Sequence, residues 1–240
     1  MTYDIKEKGA VTFSYYTVED YKKKSDKKIS KLTKRVMSKK IAVCEGYATL
    51  FSQLCTELNI KSKIVTGSAK TKTSDIGKRF NASHAWNIVE IDNKKYLIDA
   101  TWGVDKTKNN GIDYKYFLTL PKYFILKHYP NNYKDALLDK PISKEKYLNN
   151  PLYYGYYFDV ISPKLGTLIK SKSKLVKFVF KSKKKISNVS ISVKKQFLDI
   201  DIVKNDDTLE FEVDLSKHPS AKELIIFFDN KAAIAYKLKN

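Results

Sequence analysis

Cysteine is almost absent from the sequence: Cys44 and Cys55 are the only two among 240 residues. If both lie on one helix, about 16 Å separates them along its axis, which is too far for a disulfide. A disulfide scaffold and a cysteine-rich metal site are therefore excluded. The sequence also lacks a P-loop, a G-x-G-x-x-G motif and clustered metal ligands, so it predicts no metal, nucleotide or organic cofactor.

Long apolar runs are missing as well. No run of about 18 apolar residues occurs, so the sequence predicts no membrane-spanning segment. The first residues, MTYDIKEKGAVTF, also lack the apolar stretch of a secretory signal. Two locations stay open: the protein is cytoplasmic if Met1 is the native start, or exported if a leader was removed.

Arginine is scarce in a strongly basic chain. The sequence has 46 lysines and arginines against 26 acidic residues, a net charge of +20, yet only Arg35 and Arg79 are arginine. Arginine is the preferred residue for bidentate contacts to phosphates and bases, so nucleic acid is an unlikely partner. We interpret the lysines as a solvated surface, with docking on an anionic surface or polymer as the alternative.

The N-terminal part of the chain predicts a lysine-rich helix. Thr17 and Asp20 resemble a capping box that opens a helix ending near Met37. Apolar positions three and four apart give it one packing face, while the lysine face stays in water; they are Ile29, Leu32 and Val36. Before this helix, Val11, Phe13 and Tyr15 indicate a short β-like stretch.

A second helix follows and has the most regular apolar pattern in the chain. Its stripe predicts a buried face, and Asn59 closes it. A strand over Ile60–Thr66, ending at Gly67, and a mobile polar loop over Ser68–Ser83 come next. The stripe consists of Cys44, Tyr47, Ala48, Phe51, Leu54, Cys55 and Leu58.

A β-hairpin is predicted after the loop, with strands His84–Ile91 and Lys95–Trp102. A two-residue turn at Asp92-Asn93 would pair Ile91 with Lys94, Trp86 with Asp99 and His84 with Thr101. His84 and Asp99 would then lie diagonally on one face, within reach of a hydrogen bond. A one-residue slip of one strand would separate them. A short aromatic helix or turn, Tyr114–Tyr129, broken by Pro121 and Pro130, completes this part.

The C-terminal part predicts a small β-sandwich, because short β-branched and aromatic runs recur with polar turns between them. We place the boundary between 140 and 155, giving an α+β domain over residues 1–150 and an immunoglobulin-like sandwich over residues 151–240. The seven predicted strands are Tyr156–Ile161, Leu175–Phe180, Val189–Val193, Leu198–Val203, Thr208–Val213, Leu224–Phe228 and Ala233–Leu238.

Cys44 has the position of an activated nucleophile. At the first turn of a helix, unpaired N–H groups and the helix dipole favour thiolate over thiol. Cys44 could equally be a small core residue, whereas Cys55, mid-helix among apolar neighbours, is interpreted as structural. A thiolate needs a base with an orienting acceptor, and His84 with Asp99 meets that need. Of the other histidines, His128 could be structural and His218 lies in a predicted surface turn.

Three segments resemble the core motifs of the transglutaminase-like superfamily. They are Val43-Cys44-Glu45-Gly46-Tyr47-Ala48, His84-Ala85-Trp86-Asn87 and Tyr96-Leu97-Ile98-Asp99-Ala100-Thr101-Trp102-Gly103. The later Tyr116-Phe117-Leu118 and His128-Tyr129-Pro130 resemble the continuation in the kyphoscoliosis-peptidase-like branch. The resemblance covers roughly residues 35–140.

The resemblance implies a papain-like fold of α+β class, in which a helix headed by Cys44 packs on an antiparallel sheet carrying His84 and Asp99. Cys44 would be the nucleophile, His84 the general base and acid, and Asp99 the acceptor that fixes the imidazole tautomer. Trp86 and Trp102 flank the site and are predicted to contact substrate, although a place in the core is the alternative for each.

Two functions from different classes remain. The first is thiol-dependent acyl transfer on protein or peptide amide bonds, of the protease, deamidase or transglutaminase type. We favour hydrolysis, because no sequence feature identifies an amine acceptor site. The second is a catalytically silent adaptor that keeps the fold and binds partner proteins.

Overall fold

A computed structural model describes residues 2–3, 14–105, 111–171 and 174–240. The β-like prediction for Val11 and Phe13 lies outside these residues. The chain divides into two compact units, the first comprising Met1–Ser68, Asn81–Phe124 and Pro130–Asp139, the second Ala69–Phe80, Ile125–Tyr129 and Lys140–Asn240. Two segments of the second unit thus precede residue 150 in the chain.

The first unit combines helices with antiparallel strands. Strands β5, β4 and β3 lie side by side in that order, β1 pairs with β2, and β6 pairs with β7. The elements are β1 (Thr2–Tyr3), α1 (Val18–Lys39), β2 (Ile41–Ala42), α2 (Cys44–Glu57), β3 (Lys61–Ala69), β4 (His84–Ile91), β5 (Lys94–Ile98), β6 (Val104–Asp105), β7 (Gly111–Ile112) and α3 (Pro121–Phe124).

Helix α1 follows its sequence pattern closely. The Thr17 hydroxyl accepts a hydrogen bond from the Asp20 N–H at 3.0 Å, and the Asp20 carboxylate accepts one from the Tyr16 N–H. Val36 is buried on the packing face. The opposite face holds a stripe of exposed lysines, so the prediction of a wet lysine face is confirmed; the stripe is Lys23, Lys27, Lys31 and Lys34.

Helix α2 begins at Cys44, as predicted, but its buried surface differs from the predicted stripe. Leu54 and Leu58 are 52% and 69% exposed, so their assignment to the buried face is wrong. The first turns contact α1, β2 and β4, which buries Gly46 and Thr49 in addition to the stripe. In the last turns the buried side chain is Cys55, which packs with Val89 and Ile98.

Gly46 lets α2 approach its neighbours closely. A Cβ atom there would lie 2.6 Å from the Ala42 Cβ and 3.1 Å from the Val36 Cγ2. We expect Gly46→Ala to lower the free energy of unfolding by about 1–2 kcal/mol, because the overpacking cost exceeds the gain in helix propensity. Urea unfolding measures this.

The matched control for Gly46→Ala is Leu54→Ala on the same helix. Because Leu54 is half exposed, we expect Leu54→Ala to lower the free energy of unfolding by less than about 1 kcal/mol. The same change at a fully buried leucine costs about 2–5 kcal/mol. Equal losses at the two positions would contradict the burial described for α2.

The hairpin of β4 and β5 has the predicted register. Ile91 pairs with Lys94, and both turn residues have positive φ, 51° at Asp92 and 59° at Asn93. These angles match a type I′ turn, whose twist suits a two-residue hairpin. The ladder runs to the pair Asn87 and Ile98.

Beyond that pair the prediction and the structure differ. The predicted pairings of Trp86 with Asp99 and of His84 with Thr101 fall past the end of β5. There the Asp99 N–H donates to the Tyr116 carbonyl at 2.9 Å instead. Asp99 therefore lies in the loop that follows β5.

The second unit contains two sheets around one core. One sheet has the order β10-β12-β16-β15 and the other β11-β18-β17-β13-β14, with β9 also paired to β18. Strand β8 (His128–Pro130) belongs to this unit except for Pro130 and is in neither sheet. The other elements are α4 (Lys144–Asn149), β9 (Leu152–Tyr153), β10 (Phe158–Ser162), β11 (Thr167–Ile169), β12 (Leu175–Ser182), β13 (Val189–Val193), β14 (Gln196–Ile200), β15 (Val203–Asn205), β16 (Thr208–Asp214), β17 (Glu223–Phe228) and β18 (Lys231–Lys239).

Aromatic contacts join the two sheets into a sandwich. The rings of Phe178 and Tyr236 meet at 5.3 Å between centroids, and those of Phe180 and Phe228 at 5.2 Å, each pair crossing from one sheet to the other. The chain therefore has the predicted fold class: helices with an antiparallel sheet, followed by further β-sheet.

Two predictions in this unit are wrong in detail. The single strand predicted over Leu198–Val203 is two strands, β14 and β15, which belong to different sheets. The polar segment Ser68–Ser83 contains a 3₁₀ helix, Thr73–Asp75, and residues that are nearly inaccessible to solvent. Among these, Lys70 is 2% exposed and Ile76 fully buried.

The side chain of Lys70 is buried among hydrogen-bond acceptors. Its Nζ donates to the carbonyl oxygens of Tyr147 at 2.7 Å and Asn150 at 3.0 Å, and also to the Asn150 side-chain oxygen. It lies 4.8 Å from the centroid of the Tyr147 ring. Burial lowers its pKa to about 7.

Across the described residues, no helix is both long enough and apolar enough to cross a membrane.

Candidate active site

Cys44 is the first residue of α2, and its sulfur is surrounded by polar groups. The backbone N–H groups of Ala85 and Glu45 donate to it, and the thiol hydrogen-bonds to His84. The Sγ atom lies 3.9 Å from the Ser83 carbonyl oxygen. The start of a helix by itself favours thiolate. Here strand β4 adds two further hydrogen bonds to the same sulfur, from the Ala85 N–H and the His84 ring.

The pKa of Cys44 is lowered from its ordinary value. Burial opposes ionisation, but the hydrogen bond and the charge of His84, together with the two backbone N–H groups, outweigh it. Cys55 behaves in the opposite way, since burial raises its pKa. The two free cysteines therefore lie in different electrostatic environments.

His84, the first residue of β4, is held by Asp99. Its Nε2 lies 2.7 Å from the Asp99 Oδ2, with both side chains buried. Because Nε2 faces the carboxylate, Nδ1 is the ring nitrogen left for the thiol. Burial opposes protonation, but the charge and hydrogen bond of Asp99, with help from Cys44, raise the His84 pKa to about 9.

Asp99 is fixed by its own turn. Its Oδ1 accepts from the N–H groups of Thr101 at 2.9 Å and Trp102 at 3.0 Å, and its carbonyl accepts from the Gly103 N–H at 2.8 Å. With the Tyr116 bond to its own N–H, these contacts leave the carboxylate little freedom. A fully buried aspartate is stable only when its oxygens are bonded in this way.

The arrangement favours a charged pair. A lowered thiol pKa and a raised imidazole pKa together favour thiolate and imidazolium, with the Asp99 carboxylate next to the imidazolium. Both shifts move the proton from sulfur towards nitrogen before a substrate binds. A thiolate in reach of a protonated base can attack a carbonyl carbon and supply a proton to the leaving group.

The two predicted substrate-contacting tryptophans occupy different environments. Trp86 is 1% exposed and packs in a core cluster with Val65, Ile88, Leu97 and Phe124. Trp102 is half-buried and stacks on His84, with 4.9 Å between ring centroids. The structure therefore brings Cys44, His84, Asp99 and Trp102 together, and gives Trp86 almost no surface for a substrate.

Several groups that form hydrogen bonds in the site were not predicted from the sequence, because they are backbone atoms. The Ser83 and Tyr116 carbonyls and the Ala85 N–H belong to this group. The bonds to Asp99 Oδ1 did have a signal, since an aspartate often accepts from N–H groups two and three residues later.

Comparisons with known proteins agree with this geometry. Residues 3–99 match the family model of the Transglutaminase-like superfamily. Kyphoscoliosis peptidase is 34% identical over 124 residues in Homo sapiens and 32% identical over 124 residues in Mus musculus, each match covering 48% of this chain and 19% of the relative. Hillarin of Drosophila melanogaster is 26% identical over 133 residues, covering 48% and 16%.

The chain thus spans about a fifth of the length of the kyphoscoliosis peptidases that it matches. Within that span the match includes the helix that begins at Cys44 and the hairpin that leads from His84 to Asp99. The resemblance predicted from the sequence motifs is confirmed: the part of the chain that contains Cys44, His84 and Asp99 matches the family model of the transglutaminase-like superfamily.

Proposed function

We propose that this chain is a thiol-dependent acyl-transfer enzyme acting on protein or peptide amide bonds, with Cys44, His84 and Asp99 as its catalytic triad. The observation that supports it most is the position of His84. Its Nε2 lies 2.7 Å from Asp99 Oδ2 while the same ring hydrogen-bonds to the Cys44 thiol. A nucleophile, a base and an acceptor that orients the base are the parts such chemistry requires.

The proposed reaction has two halves. The Cys44 thiolate attacks the carbonyl carbon, the imidazolium of His84 protonates the departing amine, and a thioester forms on the sulfur. His84 then removes a proton from water, the water oxygen attacks the thioester carbonyl carbon, and the sulfur leaves as thiolate while the acid is released, which restores the thiolate and imidazolium pair. Asp99 stays ionised and keeps the imidazole oriented throughout.

Hydrolysis is the outcome we favour over transfer to an amine. Two relatives bear the name kyphoscoliosis peptidase, which describes peptide-bond hydrolysis in those proteins. Water needs no binding site of its own, whereas an amine acceptor does, and nothing in the sequence identifies such a site. Peptides and proteins are accordingly the proposed substrate class.

Alkylation of Cys44 tests the proposal without knowledge of the substrate. In a Cys55→Ala background, iodoacetamide should modify Cys44 at about pH 6, well below the ~8.5 at which an ordinary thiol ionises. In His84→Ala the rate should fall, and its midpoint should move to higher pH, because the opposing effect of burial then dominates. Mass spectrometry over a pH series measures both rates.

The same experiment separates an enzyme from an adaptor. An adaptor that merely keeps the fold needs no activated thiol, so Cys44 would be modified as slowly as an ordinary thiol, and His84→Ala would change nothing. That result would refute the acyl-transfer proposal.

A further inference from the structure

Trp102 forms one wall around the imidazole of His84. The two rings stack with 4.9 Å between centroids and 29° between planes, and Trp86 is farther away, at 6.1 Å. Trp102 is itself only half-buried, while His84 is 8% exposed. The indole therefore lies between the imidazole and solvent on this side.

The indole is held by the same turn that holds the carboxylate. The backbone N–H of Trp102 donates to Asp99 Oδ1 at 3.0 Å. The Tyr116 ring packs edge-on against the indole, with 5.5 Å between ring centroids. Tyr116 in turn accepts the Asp99 N–H through its carbonyl. The backbone of Trp102 is thus fixed by the carboxylate that bonds His84, and the Tyr116 ring packs against the indole.

This geometry has an electrostatic consequence. The face of an indole ring carries negative potential and attracts a cation stacked on it, more strongly where water is excluded. A covered ion pair is also stronger than one that water can screen. Both effects favour the protonated imidazole, which the acyl-transfer reaction uses twice, as thiolate partner and as proton donor.

We propose that Trp102 is a positioning residue that stabilises the imidazolium of His84 and shields its bond to Asp99 from water. The inference rests on the proposed function, since only an enzyme uses the imidazolium. It gives Trp102 a role different from the substrate contact that the sequence predicted. A substrate contact would leave the titration of His84 unchanged, and a packing role alone would affect only stability.

The test is an NMR titration of the His84 ring in the full chain, with its signal among the three histidines assigned by its loss in His84→Gln. In Trp102→Leu the pKa of His84 should fall by about half a unit to one unit, whereas Trp102→Phe, which keeps an aromatic face, should change it less. The matched control is Tyr114→Leu, at a side chain that is 71% exposed, and it should leave the titration unchanged.

Unchanged titration in folded Trp102→Leu, or Phe and Leu behaving alike, would overturn the proposal. If Trp102→Leu fails to fold, fluorinated tryptophan replaces it, since fluorine weakens the negative face with little change in size. The His84 pKa should then fall, and fall less in a Trp102→Phe background, where Trp86 alone is labelled. An equal fall in both backgrounds would also refute the role of Trp102.

The failures of the two proposals remain distinguishable. The His84 titration needs no substrate, so a lowered pKa together with an unreactive Cys44 would support the role of Trp102 and reject the enzyme. A reactive Cys44 together with a His84 titration that Trp102→Leu leaves unchanged would support the enzyme and reject the role of Trp102.

Discussion

Asp99→Asn is expected to slow acylation of Cys44 by about 10²- to 10⁴-fold with little loss of fold. An asparagine oxygen can still accept from the N–H groups of Thr101 and Trp102, which now bond Asp99 Oδ1 at 2.9 and 3.0 Å. The amide nitrogen would then face His84 Nε2 as a donor. His84 Nε2 must then accept a hydrogen bond, so the ring proton moves to Nδ1. With Nδ1 protonated, the imidazole can no longer accept a proton from the thiol.

The loss of charge acts in the same direction. Asp99 is what raises the His84 pKa against burial, so without the carboxylate that pKa falls and the imidazolium is lost near neutral pH. The Cys44 pKa then rises, because the cation that lowered it is gone. The acylation rate should therefore depend on pH with a midpoint higher than in the parent protein.

The measurement is the burst of nitrophenolate from 4-nitrophenyl acetate across a pH series, with circular dichroism to establish folding. Asp92→Asn, at the exposed hairpin turn, is the matched control and should leave the burst unchanged, since asparagine also tolerates the positive φ of 51° found there. A folded Asp99→Asn variant that acylates at the parent rate would refute the role of Asp99.

Cys44→Ser is expected to abolish the acyl-enzyme altogether. A serine hydroxyl ionises far less readily than a thiol, so the ion pair with His84 cannot form, and loss of a triad nucleophile costs on the order of 10⁶-fold in rate. Intact-protein mass spectrometry after mixing with the ester should show one added acetyl group in the parent and none in the variant.

Cys55→Ala is the control, because Cys55 is the only other cysteine in the chain and its pKa is raised by burial. It should acquire the acetyl group as fast as the parent. An acetyl group that persists in Cys44→Ser but is absent in Cys55→Ala would show that Cys55 is the acylated residue. That result would refute the proposal.

Local sequence signals predicted the parts of the fold that depend on neighbours along the chain. Thr17 and Asp20 cap a helix, Asp92 and Asn93 accept the positive φ of a tight turn, and Cys44 begins α2. Each of these follows from short-range chemistry. Because the hairpin register follows from its turn, His84 and Asp99 could be placed near one another from sequence alone.

What could not be predicted depends on packing between distant segments. Leu54 matches the helical stripe of α2 but is exposed, because the stripe does not reveal which turns of a helix have neighbours. The run Leu198–Val203 is continuously β-like, and only the two-sheet core decides that it divides between sheets. In the site, the bond from the Asp99 N–H to the Tyr116 carbonyl joins backbone atoms, which no residue pattern identifies.

The buried side chain of Lys70 gives the second unit a response to alkali that the first unit lacks. A lysine whose pKa is lowered from 10.5 to about 7 holds fewer protons folded than unfolded, so its contribution to stability increases as the solution becomes more alkaline across that interval. In the first unit two shifts oppose each other: the raised pKa of His84, about 9 instead of 6.5, holds more protons in the folded state, and the lowered pKa of Cys44 holds fewer. Mild alkali therefore favours the folded state of the second unit, while it acts much less on the part of the chain that holds the thiol, because a proton that moves from sulfur to imidazole leaves the total unchanged.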